Sequence, residues 1–135
     1  MKRLYMIGGP MGVGKTAACR QLQQLLDRSV FLDGDWCWDM EPFQVTAETK
    51  AMVQENIAFL LGQFLRCSAY ETVIFCWVMH QRETIQELLA RLPLEGVEVR
   101  VAVTSGLAAR PLMHEIAKGQ SPITSSRSWA VQAAV

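Results

Sequence analysis

Residues 9–16 of this 135-residue chain follow the pattern G-x-x-x-x-G-K-T, a spacing suited to binding a phosphate chain. The glycines let the backbone curl until several N–H groups point at one anion, and a helix that begins near Gly14 adds the positive end of its dipole. Lys15 can reach the β- and γ-phosphates, and the Thr16 hydroxyl can ligate the Mg²⁺ that bridges them. A glycine-rich turn that binds nothing is the alternative, but a predicted buried strand precedes the loop and a predicted helix follows it. Nine residues are therefore predicted to contact the phosphate ligand: Gly9, Pro10, Met11, Gly12, Val13, Gly14, Lys15, Thr16 and Ala17.

A second group capable of chemistry follows the next predicted strand, where the sequence reads Leu-Asp-Gly-Asp over residues 32–35. Ligands of open α/β sheets bind beyond the carboxyl ends of the strands, so both carboxylates are expected to face the phosphate loop. One can hold Mg²⁺ through its water shell, and the other can accept a proton from an attacking hydroxyl. We assign Asp35 as the base and Asp33 as the metal or outer-sphere residue, beside Lys15 and Thr16. The alternative is a solvated turn, since Asp and Gly are common turn formers.

The remaining candidates would surround a substrate that accepts the phosphate. Trp36 and Trp38 lie on a predicted loop after the carboxylates and are candidates for the wall of an acceptor pocket, since such walls are mostly apolar. Trp77 lies inside a predicted strand and is expected to belong to the core. His80 can hydrogen-bond an acceptor or cap the next helix, and Arg82 can reach an anionic substrate or remain solvated.

Alternating strands and helices position these residues. Strands are predicted at residues 4–8, 29–32, 73–78 and 97–104, and helices at residues 16–26, 46–66, 82–92 and 112–118. Thr46 and Thr49 form a poor capping box, so the start of the long helix is the least defined boundary. Strands that alternate with helices require parallel crossovers, which place helices on both faces of the sheet. We therefore expect an α/β fold, a three-layer α/β/α sandwich with a mainly parallel sheet.

Composition narrows the classes of function. Thirteen basic and thirteen acidic residues give a formal net charge of zero, which argues against an extended nucleic-acid surface. The four cysteines are scattered singly, without the close pairs of a metal site or the density of a disulfide scaffold, so reduced thiols in a cytoplasmic protein are expected. No apolar run approaches the length of a membrane span, so no membrane partner is expected.

The order strand, GPMGVGKT, helix, strand, LDGD and long helix resembles the small P-loop kinases, a group that includes gluconate kinase, shikimate kinase, adenylylsulfate kinase and chloramphenicol phosphotransferase. Adenylylsulfate kinase carries the same Leu-Asp-Gly-Asp sequence after its second strand. The resemblance covers about residues 3–119 and implies the P-loop NTPase fold with strand order 2-3-1-4. It also implies ATP and Mg²⁺ as ligands, and an acceptor-side base at the position that Asp35 matches.

The sequence departs from the family pattern in two places. Many relatives end the third strand with an acidic Mg²⁺ residue, but this strand ends Cys-Trp-Val-Met-His, so a carboxylate near the metal must come from Asp33 or Asp35. The chain also stops where relatives continue to a fifth strand and a last helix, so a fifth strand is expected to be missing. Residues 1–119 are expected to form the nucleotide-binding domain and residues 120–135 a lid remnant or tail. Three cations are candidates to neutralise the transferring phosphate: Arg110, Lys118 and Arg127.

The leading hypothesis is an ATP-dependent kinase that moves the γ-phosphate to a hydroxyl of a small molecule, acting as a monomer or homodimer. One alternative is a nucleotide-binding protein without transfer activity. A third is a kinase acting on polynucleotide ends, which the neutral charge disfavours.

Overall fold

The computed structural model describes residues 2–9, 14–78, 82–104, 124–125 and 132–134. The strands are β1 (Lys2–Gly8), β2 (Ser29–Asp33), β3 (Thr72–Trp77), β4 (Val97–Thr104), β5 (Thr124–Ser125) and β6 (Gln132–Ala134). The helices are α1 (Lys15–Leu25), α2 (Ala47–Arg66) and α3 (Arg82–Ala90), and a 3₁₀ helix spans Gly34–Trp38. The first four strands and three helices agree with the predicted bounds to within two residues. The helix predicted at residues 112–118 lies outside the described residues.

The sheet has the order β2-β3-β1-β4, with all four strands parallel, as predicted. Two short strands extend it at the β4 edge: β5 pairs antiparallel with residues 100–101, and β6 pairs parallel with residues 102–104. The position outside β4, where a fifth strand was expected to be missing, is thus occupied in parallel over three residues by β6. Because β1 lies between β3 and β4, the loop that follows it starts in the middle of the sheet.

Alternating side chains divide the core into two layers. In β1, Leu4 and Met6 are buried in the layer that contains α2 and α3, whereas Tyr5 and Ile7 are buried in the layer that contains α1. The same alternation holds in β3, because both faces of a central parallel strand are covered. Each fully buried side chain of this size contributes about 1.5–3 kcal/mol to folding. Residues at the carboxyl ends of the strands therefore contact α1 on one face of the sheet, or α2 and α3 on the other face.

Local features set where the helices begin. Gly14 precedes α1 with φ of 81°, a left-handed conformation that glycine adopts without steric cost. The start of α2, where the sequence suggested a poor cap, carries a complete capping box. Thr46 Oγ1 accepts from the Thr49 amide at 3.1 Å, and Thr49 Oγ1 accepts from the Thr46 amide at 2.8 Å. In the described part of the chain, no helix combines the length and apolar character needed to cross a membrane.

Candidate active site

The candidate site lies where β1, β2 and β3 end and α1 begins. Gly9 follows β1, Gly14 precedes α1, and Lys15 and Thr16 form the first residues of that helix. Lys15 is buried, with 9% of its surface exposed, whereas Thr16 is exposed. The described ends of the phosphate loop therefore present one buried cation and one accessible hydroxyl beside the centre of the sheet.

Asp33 connects the start of α1 to the end of β2. It alternates with Leu32 and, like Phe31, faces the layer of α1. Its Oδ2 accepts a hydrogen bond from the Thr16 hydroxyl at 2.6 Å, and its Oδ1 accepts one from the Asp35 amide at 3.0 Å. Only 5% of Asp33 is exposed, although both of its partners are exposed residues, so the two bonds are partly buried. The two residues predicted to bind metal are thus in direct contact through a hydrogen bond.

The chemistry of this pair fits Mg²⁺. A hydroxyl has one proton and two lone pairs, so Thr16 can donate to Asp33 and still offer oxygen to a cation. Mg²⁺ prefers oxygen ligands and commonly binds through one or two protein oxygens together with substrate phosphates and water. Among the residues that the structure describes, no cluster of three or more His, Cys, Asp or Glu side chains could hold a metal. A Mg²⁺ ion held by Thr16 and Asp33 would take further ligands from the nucleotide phosphates and water.

Asp35 is an exposed carboxylate in the first turn of the 3₁₀ helix. Partial burial raises its pKa, the negative charge of Asp33 raises the pKa further, and the positive charge of Lys15 lowers it in part. A raised pKa makes a carboxylate a stronger base, which is the property required for accepting a proton from a hydroxyl. The structure thus gives the two neighbouring carboxylates different environments: Asp33 is buried and hydrogen-bonded, and Asp35 is open to solvent.

The two tryptophans predicted to share an acceptor pocket lie against different layers. Trp36 makes an edge-on contact with Phe31 of the α1 layer, with ring centroids 5.4 Å apart, and the Arg20 guanidinium lies 5.2 Å from the Trp36 ring. Trp38 instead packs against the α2 and α3 layer and contacts Phe43 at 5.8 Å. A turn of 3₁₀ helix thus places the two indoles on opposite sides, and their contact with an acceptor stays a prediction.

Several predicted site residues lie outside the described part of the chain, and their roles stay predictions. Arg82 begins α3, but its side chain is also outside the description. The others are four residues of the phosphate loop, one acceptor-site candidate and the three lid cations: Pro10, Met11, Gly12, Val13, His80, Arg110, Lys118 and Arg127.

Two contacts near the site were not anticipated from the sequence. The buried thiol of Cys76 hydrogen-bonds with Cys19, and this bond and burial raise its pKa far above the ordinary value. The Trp77 ring lies against the α-carbon of Gly34. The register of β2 and β3 pairs Asp33 with Cys76, so the next residues along these strands, Gly34 and Trp77, are neighbours as well. The sequence signal for this contact was a glycine, Gly34, between two acidic residues at the end of one predicted strand, with a large aromatic residue, Trp77, near the end of the next predicted strand.

Comparison with known protein families agrees with this geometry. A family model described as an AAA domain matches residues 6–105, which run from β1 past the end of β4. The chain belongs to this family. The matched residues contain the phosphate loop and both carboxylates. By sequence, no curated protein matches the chain.

Solved structures with a similar fold include several small kinases. The chain is similar to the APS kinase of Mycobacterium tuberculosis, with 12% identity, a TM-score of 0.59 and coverage of 76% of this chain and 74% of that one. It is similar to a sugar kinase from Janibacter, with 17% identity, a TM-score of 0.58 and coverage of 89% and 66%. It is also similar to a gluconokinase from Sinorhizobium meliloti, with 20% identity, a TM-score of 0.53 and coverage of 82% of this chain and 63% of that one. The resemblance to small P-loop kinases is thereby confirmed for the fold, and this chain spans about two thirds to three quarters of their length.

Proposed function

We propose that this protein transfers the terminal phosphate of ATP to a hydroxyl group of a small molecule. The observation that carries the proposal is the 2.6 Å hydrogen bond from Thr16 to Asp33, with Asp35 two residues further along the chain. This bond joins a hydroxyl suited to Mg²⁺ to a buried carboxylate. The Asp35 amide bonds to the same carboxylate, so an exposed carboxylate with a raised pKa lies at the same carboxyl-terminal end of the strands. A nucleotide-binding protein without transfer activity needs the phosphate loop, but it has no need of a second carboxylate that is poised as a base.

Each residue of the site has a role in this proposal. The backbone amides of the phosphate loop and the Lys15 ammonium hold the phosphate chain and offset its charge. Thr16 and Asp33 would hold Mg²⁺, which when bound neutralises charge on the phosphate oxygens. Asp35 accepts the proton of the acceptor hydroxyl as that oxygen approaches phosphorus. The exposed position of Asp35 leaves it open to an acceptor from solvent.

The proposal is tested with the variant Asp35→Asn. Loss of general base catalysis costs about 10²–10⁴-fold in rate, so transfer should fall within that range, whereas the affinity for nucleotide should change by less than about threefold. Transfer is measured as ADP release from Mg²⁺·ATP in the presence of gluconate, adenylylsulfate and other hydroxyl compounds. Nucleotide affinity is measured by calorimetry.

Asp39→Asn is the matched control, because Asp39 is an exposed carboxylate at the end of the same 3₁₀ helix. Its transfer rate should equal that of the wild type. Full transfer by Asp35→Asn would contradict the assigned role. If the wild-type protein binds nucleotide but turns over none of the acceptors, the non-transferring alternative is favoured instead.

A further inference from the structure

The turn that carries both carboxylates, Asp33-Gly34-Asp35, is held from both faces of the sheet. On the face of α1, the Thr16 hydroxyl donates to Asp33 at 2.6 Å. On the opposite face, Trp77 belongs to the layer of α2 and α3 and contacts Gly34. The Asp33 side chain, at the end of β2, faces α1, whereas a Cβ on Gly34, the first residue of the 3₁₀ helix, would point at Trp77 on the other face.

The contact between Gly34 and Trp77 leaves no room for a side chain. A Cβ atom on residue 34 would lie 2.6 Å from Cδ1 and 2.7 Å from Cγ of the Trp77 indole. Carbon atoms make favourable contact at about 3.5–4.0 Å, so such an atom would overlap the ring. Glycine is required here by this close approach, and the backbone between the two carboxylates rests directly on the indole.

The Trp77 ring is partly buried and packs against neighbours from β3, α2 and α3. Phe75 packs against it with ring centroids 6.1 Å apart. The cavity beside the ring, between α2 and α3, has a volume of only about 10 Å³ and is lined by Gln54, Ile57 and Leu88, among others. Packing on these sides supports the ring against the turn, while part of the Trp77 side chain stays exposed.

We infer that Trp77 is a positioning residue that fixes Asp33 and Asp35 for Mg²⁺·nucleotide binding and phosphate transfer, acting through its contact with Gly34. Asp33 Oδ1 also accepts from the Asp35 amide at 3.0 Å, so both carboxylates share one rigid turn. If the support is removed, the Asp33 carboxylate loses its fixed distance to Thr16 as well. This inference rests on the proposed function for the transfer step, but its effect on Mg²⁺-dependent binding does not require any transfer.

The test compares Trp77→Leu with Phe64→Leu. Phe64 is a half-buried aromatic residue that packs against the same layer from the last turn of α2, which leads to the opposite edge of the sheet. Both variants lose apolar contacts with the same layer, so both should be destabilised, Trp77→Leu by more because the indole is larger than the phenyl ring. The measured quantity is the ratio of ATP affinities with Mg²⁺ and with EDTA, obtained by calorimetry at a temperature where both variants are folded.

Trp77→Leu should lower this ratio by about tenfold, since loss of a residue that orients a metal ligand typically costs about 10–100-fold in metal affinity. Phe64→Leu should keep the wild-type ratio. An equal ratio in Trp77→Leu and the wild type would overturn the inference, and so would an equal decrease in both variants. If no acceptor supports turnover in the wild type, the proposed function fails while this ratio still decides the inference.

A second pair of variants tests the contact itself. Gly34→Ala should reduce the affinity ratio, because its methyl group overlaps the indole. Adding Trp77→Leu to Gly34→Ala should restore part of that loss, since the smaller side chain makes room. A double variant that is worse than Gly34→Ala alone would show that the two residues act separately.

Discussion

Removing the carboxylate of Asp33 is the most direct perturbation of the site. The variant Asp33→Ala deletes the acceptor of two hydrogen bonds, one from the Thr16 hydroxyl at 2.6 Å and one from the Asp35 amide at 3.0 Å. A hydrogen bond to a charged group contributes about 1.5–3 kcal/mol. Both bonds are partly buried and both donor residues are exposed, so water can replace part of each lost contact. We therefore expect a loss of about 2–4 kcal/mol in the free energy of unfolding.

The charge of Asp33 affects where the loss of stability falls within this range. Asp33 raises the pKa of Asp35 through its charge, so its removal relieves a repulsion and moves the loss toward the lower value. Asp33→Asn keeps an oxygen that can accept from the Asp35 amide, so it should lose about half as much as Asp33→Ala. Even 2 kcal/mol is a substantial part of a total that is typically about 5–15 kcal/mol.

The assay is urea unfolding followed by fluorescence, paired with calorimetric titration of ATP in Mg²⁺ and in EDTA. Asp33→Ala should also lose most of the Mg²⁺-dependent gain in affinity. Asp39→Ala, on an exposed residue nearby, should stay within about 0.5 kcal/mol of the wild type. An Asp33→Ala protein with wild-type stability and an unchanged Mg²⁺ effect would refute the reasoning that this carboxylate connects α1 to β2 and supports a metal.

Two further predictions follow from the raised pKa values. Burial and, to a smaller extent, the neighbouring carboxylate raise the pKa of Asp35. The folded state therefore binds the proton of Asp35 more tightly than the unfolded state does. As a result, the free energy of unfolding falls as the pH rises from the ordinary aspartate pKa through the raised pKa. Asp35→Asn lacks this fall, so its melting temperature relative to the wild type should increase between pH 4 and about pH 7, and a constant difference would contradict the prediction. In the native protein, an aromatic disulfide reagent should modify the exposed Cys67 quickly and leave Cys76 unmodified, because a hydrogen bond with Cys19 and burial raise the pKa of the Cys76 thiol. Equal rates for Cys67 and Cys76 in mass-spectrometric mapping would show that the pair is not shielded.

The chemistry of the individual residues could be predicted from the sequence more completely than their contacts. The phosphate-loop pattern and the carboxylates after the second strand indicated the family fold, which the comparisons confirm. The placement of Trp36 and Trp38 on opposite sides was not predicted, because loop spacing alone does not say that a turn of 3₁₀ helix separates the two rings. The contact between Gly34 and Trp77 was missed, since those residues are 43 positions apart and meet only through the register of β2 and β3.

The amino-acid sequence by itself determined the features that depend on a few neighbouring residues. The glycine spacing of the phosphate loop and the continuous apolar runs of the central strands belong to this class. Only the tertiary structure decided which side chains from different elements meet. The parallel register aligns Asp33 with Cys76, and the two-residue period of a strand then turns Asp33 toward Thr16 and Gly34 toward Trp77. Register and facing are properties of the packed sheet, so no single segment of the chain carries them.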